Sequence, residues 1–184
     1  IKENNVTRVF ENLPFQQQFL VDRFWEVNET PDFSKHPIKM LLLDIETYSP
    51  DGFPDIATAN HQINVITVYD SLSKKFYTWG LKPYTSKSSE HVYKYCVTEK
   101  DLLNSFLNYL EADYPDILSG WNSEFFDLPY IINRCTRILG EEDMKRLSPV
   151  RNVYNRTIRG QFGREQVRWH IDGMAVSYTH LRAH

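Results

Sequence analysis

Cysteine is scarce. Cys96 and Cys135 are the only two and lie far apart, so neither a disulfide framework nor a cysteine-based zinc cluster fits the chain. Long apolar runs are missing as well: no stretch approaches the roughly 18 apolar residues of a membrane span. The N-terminus also lacks the basic-then-apolar layout of an export signal. These absences lead to the expectation of a soluble, cytoplasmic, non-membrane protein. An initiator methionine is lacking too, and a chain that opens at Ile1 reads as a piece of something longer.

What is present is enough for one real core, since 41% of the 184 residues are hydrophobic, and the length suggests one domain. The net charge of −3 hides a division. Residues 1–133 carry 11 Lys+Arg against 19 Asp+Glu, a balance of −8; residues 134–168 carry 9 against 4, a balance of +5. A basic segment on an acidic body raises the question of a polyanionic partner, although a solvated basic face looks the same.

Residues 1–37 show no sustained period and close on a turn-like ETPDFSKHP. IKMLLLD, from Ile38, is a short apolar run between a proline and turn residues, as expected of a strand buried on both faces. INVITVYD and KFYTWG, joined by SLSKK, predict a hairpin over 62–80. LKPYTSKSSEH reads as a polar loop. The period then changes, with Leu103, Phe106, Leu107 and Leu110 on one helical face and Thr98 three residues before Asp101 as a capping box. DILSGWN predicts a short strand, and LPYIINRCTRILG a helix with Pro129 in its first turn and Gly140 past its end. Residues 141–170 read as basic and loop-like, with a hairpin in TIRGQFGREQVRWHI. The sum is an α/β domain with a mixed sheet.

LLLDIETYSP places Asp44 and Glu46 two residues apart at the end of the apolar run. Side chains at i and i+2 of a strand share a face, so the two carboxylates project together while Ile45 packs the other way. Adjacent like charges repel, and a divalent cation resolves the conflict; hard oxygen ligands suit Mg²⁺ or Mn²⁺. An Asp-x-Glu alone reads more readily as a solvated strand end, and the metal reading needs a third acid. GWNSEFFDLPYIINR supplies Asp127, expected just outside the first turn of the Pro129 helix, where free backbone N–H groups favour a carboxylate. Asn122 ends the preceding strand and either holds the turn or touches a substrate.

These residues resemble the proofreading 3′–5′ exonuclease domain of family B DNA polymerases, most of all those of T-even-type bacteriophages. DIET is similar to the first exonuclease motif and WNSEFFDLPYIINR to the second, with Asn122, Phe126 and Asp127 on its fixed positions. FPDIATANHQINVITVYDS, ILGEEDMKRLSP and WHIDGMAV extend the resemblance over residues 38–176, and residues 1–37 are similar to the end of a polymerase N-terminal domain. The resemblance implies a ribonuclease H-like fold and two-metal hydrolysis of the 3′-terminal phosphodiester of DNA. Asp44 would bridge both ions, Glu46 would hold the ion on the nucleophile's side, and Asp127 would hold the second. Implied partners are the primer 3′ end, the template and a replisome clamp, with the protein as a monomer. The hairpin at about 153–171 would help part primer from template. Arg156, Arg159, Arg164 and Arg168 would then contact phosphates, and Phe162 or Trp169 would either stack on a base or, as is commoner for hairpin aromatics, pack onto their own sheet.

Beyond IDGMAV the resemblance should continue to a third motif, a Tyr three residues before an Asp, but residues 177–184 depart from it. His180 and His184 have helical ligand spacing without a third ligand and read as a chance tail. With three acids of four, this chain is expected to be nearly inactive although its parent is a proofreading polymerase. Two alternatives stay open: a stand-alone 3′–5′ exonuclease of the same acidic superfamily, and an exonuclease-like domain kept only for nucleic-acid binding.

Overall fold

A computed structural model describes residues 15–27, 32, 34–50, 52–159 and 165–177. Contacts divide the chain into two units, residues 1–36 and 37–184. The described part of the first is mainly α1 (Phe15–Phe24), whose side chains are largely exposed.

The second unit is built on β1 (Met40–Thr47), β2 (Ile63–Asp70), β3 (Lys75–Gly80), β4 (His91–Tyr95), β5 (Ile117–Ser119) and β8 (Ala175–Ser177). They form one mixed sheet in the order β4-β3-β2-β1-β5-β8. β1, β2 and β3 pair antiparallel, while β3–β4, β1–β5 and β5–β8 pair parallel. The mixed α/β class expected from the sequence is what the chain adopts.

One face of the sheet carries the core. Leu41, Leu43 and Ile45 of β1 meet Ile66 and Val68 of β2 and Trp79 of β3, and all are buried. Against them lies α2 (Glu99–Ala112), which buries Leu102, Leu103, Phe106, Leu107 and Leu110. Each such side chain contributes roughly 1.5–3 kcal/mol. Its start is fixed as the sequence predicts: Thr98 Oγ1 accepts from the Asp101 N–H at 3.1 Å, and the Asp101 carboxylate accepts from the Thr98 N–H at 3.2 Å. α3 (Asp127–Leu139) follows, then α4 (Glu141–Met144) and a 3₁₀ turn, and then the antiparallel pair β6 (Val153–Arg159) and β7 (Glu165–Ile171).

Several expectations need correcting. β1 is not buried on both faces; its side chains alternate, leaving Met40 and Leu42 exposed beside Tyr69 and Phe76 on an open face. β4 and β8 were not expected. Each is short and joins by parallel pairing to a strand remote in sequence or separated by a loop, a contact that local pattern does not carry. The stretch expected to be loop-like from residue 141 holds α4 and the 3₁₀ turn.

Candidate active site

β1 delivers two of the three acids. Asp44 sits opposite Thr67 and Glu46 opposite Val65 of β2, both on the open face and both exposed. The register slips between Glu46 and Thr47, so the strand bends as soon as the second carboxylate has been placed. Such irregularities re-aim side chains. Asp44 also lines a cavity of about 650 Å³ on this face, with Leu42, Tyr69 and Trp121 among its walls.

The third acid arrives through a tight turn after β5. Gly120 lies against the Leu43 carbonyl so closely that an added Cβ would collide with that oxygen. Asn122 takes a left-handed conformation, φ +55°, one that Asn tolerates better than most residues. Its carbonyl accepts from the N–H groups of Phe125 (3.0 Å) and Phe126 (3.3 Å), and α3 begins at Asp127. Asn122 therefore holds the turn, and its side chain is exposed. Asp127 is the first helical residue instead of lying outside the helix.

Asp127 is 4% exposed, and its Oδ1 accepts from the backbone N–H of Ile45 at 3.2 Å. Burial pushes its carboxyl up to about 6, and the charge of Asp44 adds to this; the Ile45 bond and its own N–H pull down, and Glu46 adds a smaller push up. The three acids thus share one electrostatic field. They do not form a closed ligand set: among the described residues no three His, Cys, Asp or Glu side chains converge enough to hold one ion. Asp127 is held at the β1 backbone by the Ile45 bond, while Asp44 and Glu46 are exposed on the open face.

What anchors α3 was not legible in the sequence. Arg134 and Glu99 form a buried two-bond ion pair, Nη2 to Oε2 at 2.6 Å and Nε to Oε1 at 2.7 Å. Glu99 Oε1 also accepts from the Ile63 N–H at 2.8 Å, and Arg134 Nη1 donates to the carbonyls of Ala59 (2.8 Å) and Asn60 (3.0 Å). The cluster ties α2, α3 and the chain entering β2 together, all with buried charge satisfied.

Phe126 is half-buried at the helix entrance, its ring between Phe53 (centroids 4.8 Å) and Tyr130 (5.4 Å). Phe53, which the sequence reading passed over, is 79% exposed. An aromatic within a loop that follows the first carboxylate pair was the available signal.

The hairpin residues divide. Arg156 and Arg159 are exposed, and Arg156 lies over the Tyr154 ring at 5.1 Å. Arg168, opposite Arg156 across the hairpin, turns inward, and its Nε donates to Glu124 Oε1. Trp169 is half-buried facing α3. Arg164, Phe162, His180 and His184 lie outside the described residues.

With this geometry in view, comparison with known proteins is specific. A family model described as the exonuclease domain of DNA polymerase family B matches residues 6–176, starting well before the residue 38 expected from the motifs. The DNA-directed DNA polymerase of Escherichia phage RB69 is 34% identical over 178 residues, which is 83% of this chain and 19% of that protein. That of Enterobacteria phage T4 is 33% identical over 164 residues, 76% of this chain and 18% of that protein. DNA polymerase beta of African swine fever virus is 31% identical over 144 residues, 67% of this chain and 11% of that protein. The chain thus spans about a fifth of the length of the phage relatives it matches.

Proposed function

This chain belongs to the family B DNA polymerases, within their exonuclease domain, and on that premise we propose that it carries part of a 3′–5′ proofreading site acting on the unpaired 3′ end of a DNA primer. The observation that carries the reading is the meeting of Asp127 with the backbone between Asp44 and Glu46, so that three carboxylates from two motifs share one field.

The donor chemistry of the three acids suits a divalent cation. All three groups offer hard oxygens, which suit Mg²⁺ or Mn²⁺, and the upward push on Asp127 is a charge conflict that a cation relieves. Asp44, Glu46 and Asp127 would be the residues that hold such ions, and the chemistry these would supply is charge stabilisation at a phosphodiester undergoing in-line displacement. Asp44 and Glu46, exposed on β1, are positioned to ligate. Asp127 is held by the Ile45 N–H, so its placement relative to the strand does not depend on a flexible side chain alone.

The remaining groups handle the strand. The cavity beside Asp44 suits a terminal nucleotide, and the Phe53 ring, resting on Phe126, offers a stacking surface for a base next to the acids. Arg156 and Arg159 on the hairpin attract phosphates without reading sequence. Residues 38–176 form the exonuclease portion in this reading, residues 1–37 the end of an N-terminal domain and 177–184 a segment outside the family pattern. A monomeric, cytoplasmic polymerase working with a replisome clamp is the corresponding whole.

The test uses the longer polymerase that contains this domain. Replacing Asp44 and Glu46 together with Ala abolishes Mg²⁺-dependent digestion of a 3′ single strand while leaving DNA binding in EDTA intact. Digestion at the original rate in that variant would refute the assignment.

A further inference from the structure

A separate cavity of about 470 Å³ lies between the first turns of α3, the loop after β1 and the β6–β7 hairpin. Its volume is in the range that holds small molecules. Phe125 and Trp169 give it ring surface, Ile56 an aliphatic wall, and Glu124, Asn133 and Asn155 its polar groups.

Those polar groups are set before any ligand arrives. Glu124 is 8% exposed; Oε1 accepts from Arg168, while Oε2 is buried with no hydrogen-bond partner among the described residues. A buried oxygen left unpaired is destabilising, and an N–H donor bound in the cavity that Glu124 lines would relieve the deficit. Asn133 donates its Nδ2 to the Ile56 carbonyl at 2.8 Å, which fixes the amide in the cavity wall. Asn155 and Trp169 are cross-strand partners, so amide and indole stand side by side on the hairpin face that lines the cavity. Flat walls with acceptors between them match a flat ligand edged with donors.

We infer that this cavity binds an unpaired nucleobase carrying an exocyclic amino group (adenine, cytosine or guanine) and rejects thymine and uracil. The inference rests on the nuclease reading for the presence of a DNA strand; the selectivity follows from the cavity alone. Ring walls accept any base. The acceptors do not: an exocyclic amino group donates to the Glu124 carboxylate, whereas the one ring N–H on that edge of thymine or uracil is flanked by two carbonyls that set oxygen against oxygen. Because Glu124 and Asn133 belong to the body and Asn155 and Trp169 to the hairpin, a bound base also pins one against the other.

The experiment titrates dCMP against dUMP, and dAMP against deoxyinosine monophosphate, into the intact chain in EDTA, followed by tryptophan fluorescence and calorimetry. Each pair differs in amino against carbonyl. The expected result is at least tenfold tighter binding of dCMP than dUMP, with the fluorescence change lost in Trp169→Leu. Glu124→Gln should shrink the dCMP/dUMP ratio below twofold. Asn133→Leu, which leaves the Glu124–Arg168 pair untouched, should weaken dCMP at least fivefold and keeps the test decisive if Glu124→Gln does not fold. Equal binding of both members of each pair, or an unchanged ratio in a folded Glu124→Gln, overturns the inference. Since no metal is present, such a failure is distinct from a failure of Mg²⁺-dependent digestion, which would count against the nuclease reading alone.

Discussion

The backbone N–H of Ile45 and the Oδ1 of Asp127, separated by 82 positions in sequence, are hydrogen-bonded at 3.2 Å. Ile45 is the residue whose side chain faces the core between the two outward carboxylates of β1. One peptide unit therefore places its side chain in the interior, sits between two acids of the site, and holds the third.

Asp127 should make stability depend on pH in a direction opposite to most acids. Its folded value, about 6, lies above the ordinary carboxylate value, so the folded chain binds this proton more tightly than the unfolded one. This group's favourable contribution is complete below the ordinary value and is lost as pH rises through about 6. Asp127→Asn should flatten that dependence and raise stability at pH ~8 by on the order of 1–3 kcal/mol, measured by urea unfolding. A variant less stable at that pH would show that the charge conflict is not what strains the site.

The Glu99–Arg134 pair predicts a different kind of loss. Removing one partner leaves a buried charge uncompensated, so Arg134→Met or Glu99→Leu should cost about 3–5 kcal/mol in urea unfolding. Arg134→Lys should recover little, since an ammonium cannot reproduce both bonds to Glu99 and those to Ala59 and Asn60. Full recovery by Lys would mean that the charge alone matters.

Phe53 should separate binding from folding. Its ring is mostly exposed, so Phe53→Ala should change stability by no more than about 1 kcal/mol, the scale of its ring pair with Phe126. Affinity for a short single strand should fall about tenfold, the scale of one lost stacking contact. Equal affinity measured by anisotropy would remove Phe53 from the substrate path.

The hairpin arginines should not be equivalent. Neutralising Arg156 or Arg159 should lower the salt slope of single-strand binding by about 0.7 each. Arg168 is already engaged by Glu124, so Arg168→Gln should change the slope by less and lower stability more, because a buried carboxylate loses its partner. An equal slope change at all three would place Arg168 on the phosphates.

Much of this was legible in the sequence because the signals are local. Alternation puts Asp44 and Glu46 on one face, Thr98 and Asp101 cap α2 within one turn, and the second motif carries its own turn and helix start. What escaped depends on partners that sequence proximity does not reveal. β4 and β8 exist through parallel pairing, and their own residues carry little apolar pattern. Glu99 finds Arg134 across 35 positions and Glu124 finds Arg168 across 44, and no local pattern announces that these carboxylates are interior. The open face of β1 escaped for another reason: a run of leucines looks the same whether one side or both is covered.

The two-residue beat of β1 also makes its pairing with β2 an all-or-nothing commitment. Were the strand to slide by one position, Ile45 would point to water and the two carboxylates would be driven in among Ile66, Val68 and Trp79. A deletion or insertion of a single residue anywhere in 40–46 would therefore displace both acids and break the packing of the sheet in the same stroke, whereas the loop just downstream should absorb such edits.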